Sequence, residues 1–149
     1  MSLKARLQDD VKQAMRAREK ERLGALRLIQ AEVSQFEVDE RREADDDAVL
    51  AILNRMLKQR RDSIDQYRKG GREDLAEREA AEITVIEAYM PEQLGDAELE
   101  QMIGEAIAET GAAGPSDMGK VMGVLKPRVF GRADMGVVSQ KVRTALGIS

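Results

Sequence analysis

Between the acidic run Asp45-Asp46-Asp47 and the pair Gly70-Gly71, apolar residues recur every three or four positions: Val49, Ile52, Leu53, Met56, Leu57, Ile64 and Tyr67. A repeat of this period and length lays one apolar stripe along an α-helix and does not fit the two-residue alternation of a strand. It predicts a helix from about Ala48 to Lys69, opened by a carboxylate cap and closed by glycine in a left-handed turn. The same period returns on either side. Ser2 can cap a helix burying Leu3, Leu7, Val11 and Met15. A bend or break within 16–22 separates it from a second helix with Leu23, Leu26, Ile29 or Gln30, Val33 and Phe36 inward. A fourth helix runs from Arg72 to about Tyr89, where Pro91 disfavours helical geometry at Met90.

Beyond Pro91 the pattern restarts. Asp96 is a candidate cap for a helix burying Leu99, Met102, Ile103, Ala106 and Ile107, with Gly111 as its stop. Ser116 or Asp117 caps a short helix with Met118, Val121, Met122 and Leu125 inward, stopping near Pro127. Phe130-Gly131 makes a turn, and Asp134 caps a last helix burying Val138, Val142, Ala145 and Leu146, with Gly147 at its end. The predicted architecture is all-α. An antiparallel bundle or pair of hairpins of about four helices occupies 1–90, and a small three-helix domain occupies 91–149, with the boundary near Met90-Pro91.

Composition removes whole classes of chemistry. The chain of 149 residues has no cysteine and no histidine. Disulfides, thiolate metal sites, and Ser-His or Cys-His nucleophiles are therefore excluded. Ser63, Ser116 and Ser139 have no histidine partner, and no signature points to a Ser-Lys arrangement. Asp45-Asp46-Asp47 reads as a capping run in preference to a metal site, because carboxylates adjacent in sequence seldom converge on one centre. No catalytic residue, cofactor or metal is predicted. With no apolar run of membrane-spanning length and no signal-peptide core at the N-terminus, the expectation is a soluble, cytoplasmic protein without membrane contact.

The charge is unevenly spread. Of 24 basic and 28 acidic residues, 18 basic and 26 acidic lie in 1–115, a balance of −8; six basic and two acidic lie in 116–149, a balance of +4. A basic end on an acidic body suits an anionic partner. Its basic residues are Lys120, Lys126, Arg128, Arg132, Lys141 and Arg143. Pro127 and Gly131 predict irregular backbone around Lys126, Arg128 and Arg132, where side chains could converge on phosphate; the alternative is a solvated face paired with Asp117 and Asp134. Gly119 and Gly123, four apart on one helix face, read first as sites of tight helix packing and second as sites of close approach to a phosphate. The glycine and strand of a phosphate-cradling nucleotide loop are missing. The charged stretch around Lys58, Arg60, Arg61, Asp62 and Asp65 reads as a solvated helix face with intrahelical pairs.

The motifs Asp117-Met118-Gly119-Lys120-Val121-Met122-Gly123, Lys126-Pro127-Arg128, Gly131-Arg132-Ala133-Asp134 and Val138-Ser139-Gln140-Lys141-Val142, in this order, resemble the YqeY family. So do Gly70-Gly71-Arg72-Glu73-Asp74-Leu75, Tyr89-Met90-Pro91-Glu92-Gln93-Leu94, and the openings at Ser2 and Arg22; the resemblance spans essentially the whole chain. One departure bears on local turn geometry, since the family pattern has glycine directly after the aspartate and this chain has Met135 and then Gly136. The resemblance implies a helical N-terminal bundle and a C-terminal domain similar to the tail of the GatB subunit of tRNA-dependent amidotransferase. There the tail helps to hold tRNA and the chemistry lies in other parts. The implied function is a non-catalytic tRNA-binding accessory module, with the six basic residues on the RNA and Gly119, Gly123, Pro127, Gly131 and Asp134 as structural motif. The alternative is a protein-interaction adaptor, and a protein partner in aminoacyl-tRNA metabolism is compatible with both. A carbon-nitrogen ligase or amidotransferase activity with glutamine as amido donor stands behind these, because a shared domain does not transmit an activity.

Overall fold

The computed structural model describes residues 1–147 and is all-α, with no strand among the described residues. The chain divides into two compact units, Met1–Met90 and Pro91–Ser149.

The first unit holds α1 (Leu3–Ala17), α2 (Lys20–Glu40), α3 (Asp46–Lys69) and α4 (Glu73–Glu87). Local chemistry sets most of their ends. Ser2 Oγ accepts from the Ala5 N–H at 3.1 Å and Asp45 Oδ1 from the Ala48 N–H at 2.9 Å, so each satisfies a first-turn donor that has no helical partner. The break within 16–22 is a single left-handed residue, Arg18 (φ 57°), and Arg41 (φ 54°) turns the chain after α2. At the end of α3 it is Gly71, at φ 72°, that takes the left-handed position, while Gly70 stays at φ −86°. The Arg72 N–H then reaches back to the Tyr67 carbonyl at 2.8 Å and that of Gly71 to Arg68 at 3.1 Å, closing a Schellman turn.

Leu26, Ile29 and Val33 of α2 meet Val49, Ile52, Leu53, Met56 and Leu57 of α3, with Leu7 and Val11 of α1 and Ile86 of α4 completing the core. Met15 is 51 % exposed where the periodicity expected it inside; Ala14, fully buried, takes the inward position one residue earlier. Tyr89 fastens the end of this unit. Its hydroxyl donates to Asp10 Oδ2, and the Arg6 guanidinium lies 4.6 Å from its ring centroid and donates to the Ala88 carbonyl at 2.9 Å. Burial, and then the bond to Asp10, push the Tyr89 phenol well above its ordinary pKa.

The second unit holds α5 (Asp96–Thr110), a 3₁₀ turn (Pro115–Asp117), α6 (Met118–Val129) and α7 (Met135–Ala145). Leu99, Ile103 and Ala106 pack with Val121, Leu125 and Val129 of α6 and with Val138, Val142 and Leu146 at the chain end. Asp96 is the first residue of α5, and Gly95 stands at the cap without a side chain to give. Ala145 is exposed, because the inward stripe passes from Val142 to Leu146. Helix α6 does not stop at Pro127 but continues through it to Val129. Pro127 has no N–H, so the Gly123 carbonyl lacks the backbone donor that an α-helix would supply four residues on. The loss falls in the last turn, where the buried Val129 still anchors the helix.

Candidate nucleic-acid interface

The basic residues of the second unit do not converge on an irregular loop. Lys126 and Arg128 are helical, in the last turn of α6, and side chains on that turn leave the axis in different directions. Arg128 turns to α5 and grips the Glu109 carboxylate with both nitrogens, at 3.1 and 3.0 Å, which raises its pKa further. Lys141 of α7 lies 3.2 Å from Glu100 Oε1 and 4.0 Å from Asp96 Oδ1. Arg132 is half-buried, and its Nε donates to the Glu92 carbonyl at 3.1 Å. Three of the six predicted contacts are thus already satisfied within the unit. The pairing acids on α5 went unread in the sequence. Their pairing is set by how α5 packs on α6 and α7, which spacing along the chain does not give.

Among the described residues, Lys126 and Arg143 make no ion pair within 4 Å, and Lys120 has only Asp117 at 3.6 Å. The Lys120 side chain is 70 % exposed. Asp117 itself is held by the Ala113 N–H at 3.0 Å, which, with Lys120 assisting, keeps its carboxyl below the usual range.

Gly119 and Gly123 correct the packing expectation. Both are exposed, and a Cβ built on either meets nothing within 4 Å. They pack against no other helix. Gly119, Gly123 and Pro127, each four residues apart, form a line along the solvent side of α6; helical rotation sets Lys120 on one flank of this line and Lys126 on the other. The result is a strip of nearly bare backbone between two exposed ammonium groups, one of them 3.6 Å from Asp117, a shape and charge that a sugar-phosphate chain can approach closely.

The remaining motif residues build the fold. Gly131 is buried at φ 78°, its carbonyl accepts from Gln93 Nε2 at 2.9 Å, and the Arg132 carbonyl accepts from the Leu94 N–H at 2.9 Å. Asp134 caps α7 by accepting from the Gly136 N–H at 2.7 Å. The Gly131-Arg132-Ala133-Asp134 motif therefore holds the 92–94 segment and starts α7. A Cβ on Gly136 would stand 3.1 Å from Asp134 Oδ1, so the glycine displaced by one position still has a steric reason. Among the described residues no group of three or more acidic side chains is gathered to hold a metal, and no helix is long and apolar enough to cross a membrane.

The profile of the Yqey-like protein family matches residues 4–146. The chain belongs to the YqeY family. This YqeY chain is similar to proteins named "Altered inheritance of mitochondria protein 41, mitochondrial" in two fungi. The Pyrenophora tritici-repentis protein is 33 % identical over 145 residues, covering 95 % of this chain and 80 % of the relative. The Eremothecium gossypii protein is 32 % identical over 138 residues, covering 91 % and 72 %. These names overturn the cytoplasmic expectation, which rested on the lack of a membrane-length apolar run and of a signal-peptide core. A charged, helix-rich chain without long apolar runs suits the interior of an organelle equally well, so composition carries no compartment.

Proposed function

We propose that this YqeY protein is a non-catalytic, tRNA-binding accessory module whose second unit works like the tail of the amidotransferase GatB subunit. The observation that carries the reading is the strip of Gly119, Gly123 and Pro127 flanked by Lys120 and Lys126. Lys126 and Arg143, with the exposed Lys120 that only Asp117 approaches, supply the positive charge, while Arg128, Arg132 and Lys141 orient the helices that present it. With two tyrosines, two phenylalanines and no tryptophan, the chain has few rings for stacking bases, so recognition is by backbone shape and charge.

The test is binding of purified tRNA across a salt series. Three neutralised phosphates give a log–log slope of roughly −2 to −3. Lys120→Ala with Lys126→Ala weakens binding about tenfold or more and flattens the slope, whereas Arg128→Ala acts less on affinity than on the α5–α6 contact. Absence of binding at low salt, or a slope indifferent to the two lysines, refutes the proposal.

A further inference from the structure

Helix α2 carries a second line of small and apolar residues, interrupted by Gln35, on the side away from its core. Leu26, Ile29 and Val33 are buried, yet Gly24, Leu28, Ala31, Gln35 and Val38 are all exposed, Leu28 at 45 % and Val38 at 71 %. Their spacing is four, three, four, three. An exposed seam with this 3.5-residue repeat fits a second helix supercoiled against it and has no use on an isolated helix facing water. The seam borders a groove of about 850 Å³ lined by Gly24, Ala25 and Leu28 of α2, by Ala81 and Val85 of α4, and by charged side chains of both helices. At Gly24 a Cβ would meet nothing within 4 Å, which leaves open space on the seam itself.

The flanking charges identify the occupant. With Leu28 and Gln35 at one core position of the repeat and Gly24, Ala31 and Val38 at the other, Arg27 and Glu32 fall on opposite flanks, five residues apart. Two such helices side by side and parallel bring each Arg27 to the partner's Glu32, twice over by symmetry. The other flanking positions then set Lys20 against Ala25 and Ser34 against Asp39, with no like charges opposed. The antiparallel register that pairs Leu28 with Val38 would set Glu32 against Glu32 and Arg27 against Arg41. Glu32 already accepts from Arg55 at 3.0 Å at an exposed position, and its carboxylate retains acceptor capacity for a second guanidinium. We propose that α2 is a self-association surface: two copies of this chain dimerise in parallel along Gly24, Leu28, Ala31, Gln35 and Val38. The seam is about 21 Å long at 1.5 Å per residue, which makes the dimer concentration-dependent.

Sedimentation equilibrium of the full chain, from low micromolar to near-millimolar concentration, tests this. The mass should rise from 16.5 kDa toward twice that value. Leu28→Glu with Val38→Glu, both at exposed positions that leave the core intact, should keep the chain monomeric, while Val137→Glu on α7 should dimerise like the parent. Arg27→Glu should weaken the dimer about tenfold through two symmetric pairs, and adding Glu32→Arg should restore it. Because the chain has no cysteine, Ala31→Cys reports direction: in the parallel pairing it oxidises to a cross-linked dimer. A chain that stays at 16.5 kDa throughout, a dimer indifferent to Leu28→Glu/Val38→Glu, or a dimer in which Ala31→Cys does not cross-link overturns the proposal.

Discussion

Gly123 has helical backbone, an exposed position and open space where a Cβ would stand. Nothing in the fold requires glycine there, and glycine costs about 1 kcal/mol relative to alanine in a helix interior. Gly123→Ala should therefore stabilise the protein by about 1 kcal/mol, and Gly119→Ala, nearer the helix start, by less. Thermal melting reads this gain directly. The same substitutions put a methyl group on the strip that the RNA backbone would approach and should weaken tRNA binding. A gain in melting temperature with loss of binding separates a functional glycine from a structural one. Gly131 is the opposite case. It is buried at φ 78°, so Gly131→Ala should cost about 1 kcal/mol or more by strain.

At the scale of the element, the start of α1 is tied to the end of α2 and the loop after it by one carboxylate. Glu37 accepts from Lys4 Nζ at 2.8 Å and from the Ala44 N–H at 2.9 Å. The bond from Lys4, then that from Ala44, hold its pKa below the ordinary glutamate value. A depressed carboxylate pKa means stability that is present above the unfolded-state value and is lost as pH falls through the folded-state value. Glu37→Gln should accordingly flatten the acid limb of the stability–pH curve. It should also flatten the alkaline limb, because Glu37 raises the Lys4 pKa and that contribution is lost as pH rises through the folded-state lysine value, as acid and alkaline titration of the helical circular dichroism signal would show. The helices themselves were legible in the sequence because period and punctuation agree. Asp45 to Gly71 gave α3 nearly to its ends, since both caps are set by local chemistry. What failed was orientation. Met15 and Ala145 sit on the edges of their stripes, where a rotation of one residue decides burial and only the neighbouring helix sets it. Pro127 misled for a related reason: the packing of Val129 carries α6 past a residue that ends an isolated helix. The pairing of the basic cluster is not legible locally, because its partners Glu100 and Glu109 come from a helix whose position no local pattern encodes.

At the scale of the whole chain there are two cores with no residue in common, one of them small. A unit of 59 residues buries a smaller fraction of its surface than one of 90, so the second unit is expected to be the more easily unfolded. Leu125, fully buried at its centre, is a sensitive point. Leu125→Ala should cost about 2–5 kcal/mol and lower one thermal transition, leaving the transition of residues 1–90 in place. A calorimetric scan in which both move together by the same amount would contradict two units of separate stability. The uneven charge does not follow this division: it falls inside the second unit, whose α5 is acidic and whose basic surplus begins only after Ser116.

The Gly123 carbonyl, deprived of its donor by Pro127, has one more consequence. Lysines on either flank attract any polyanion and do not tell one sugar from another. Between them lies a carbonyl without its helical donor, and of the two nucleic-acid sugars only ribose carries a hydroxyl at the 2′ position to meet it. If the strip meets a nucleic acid, the residue that ought to end the helix is also what gives the site a preference for RNA over DNA.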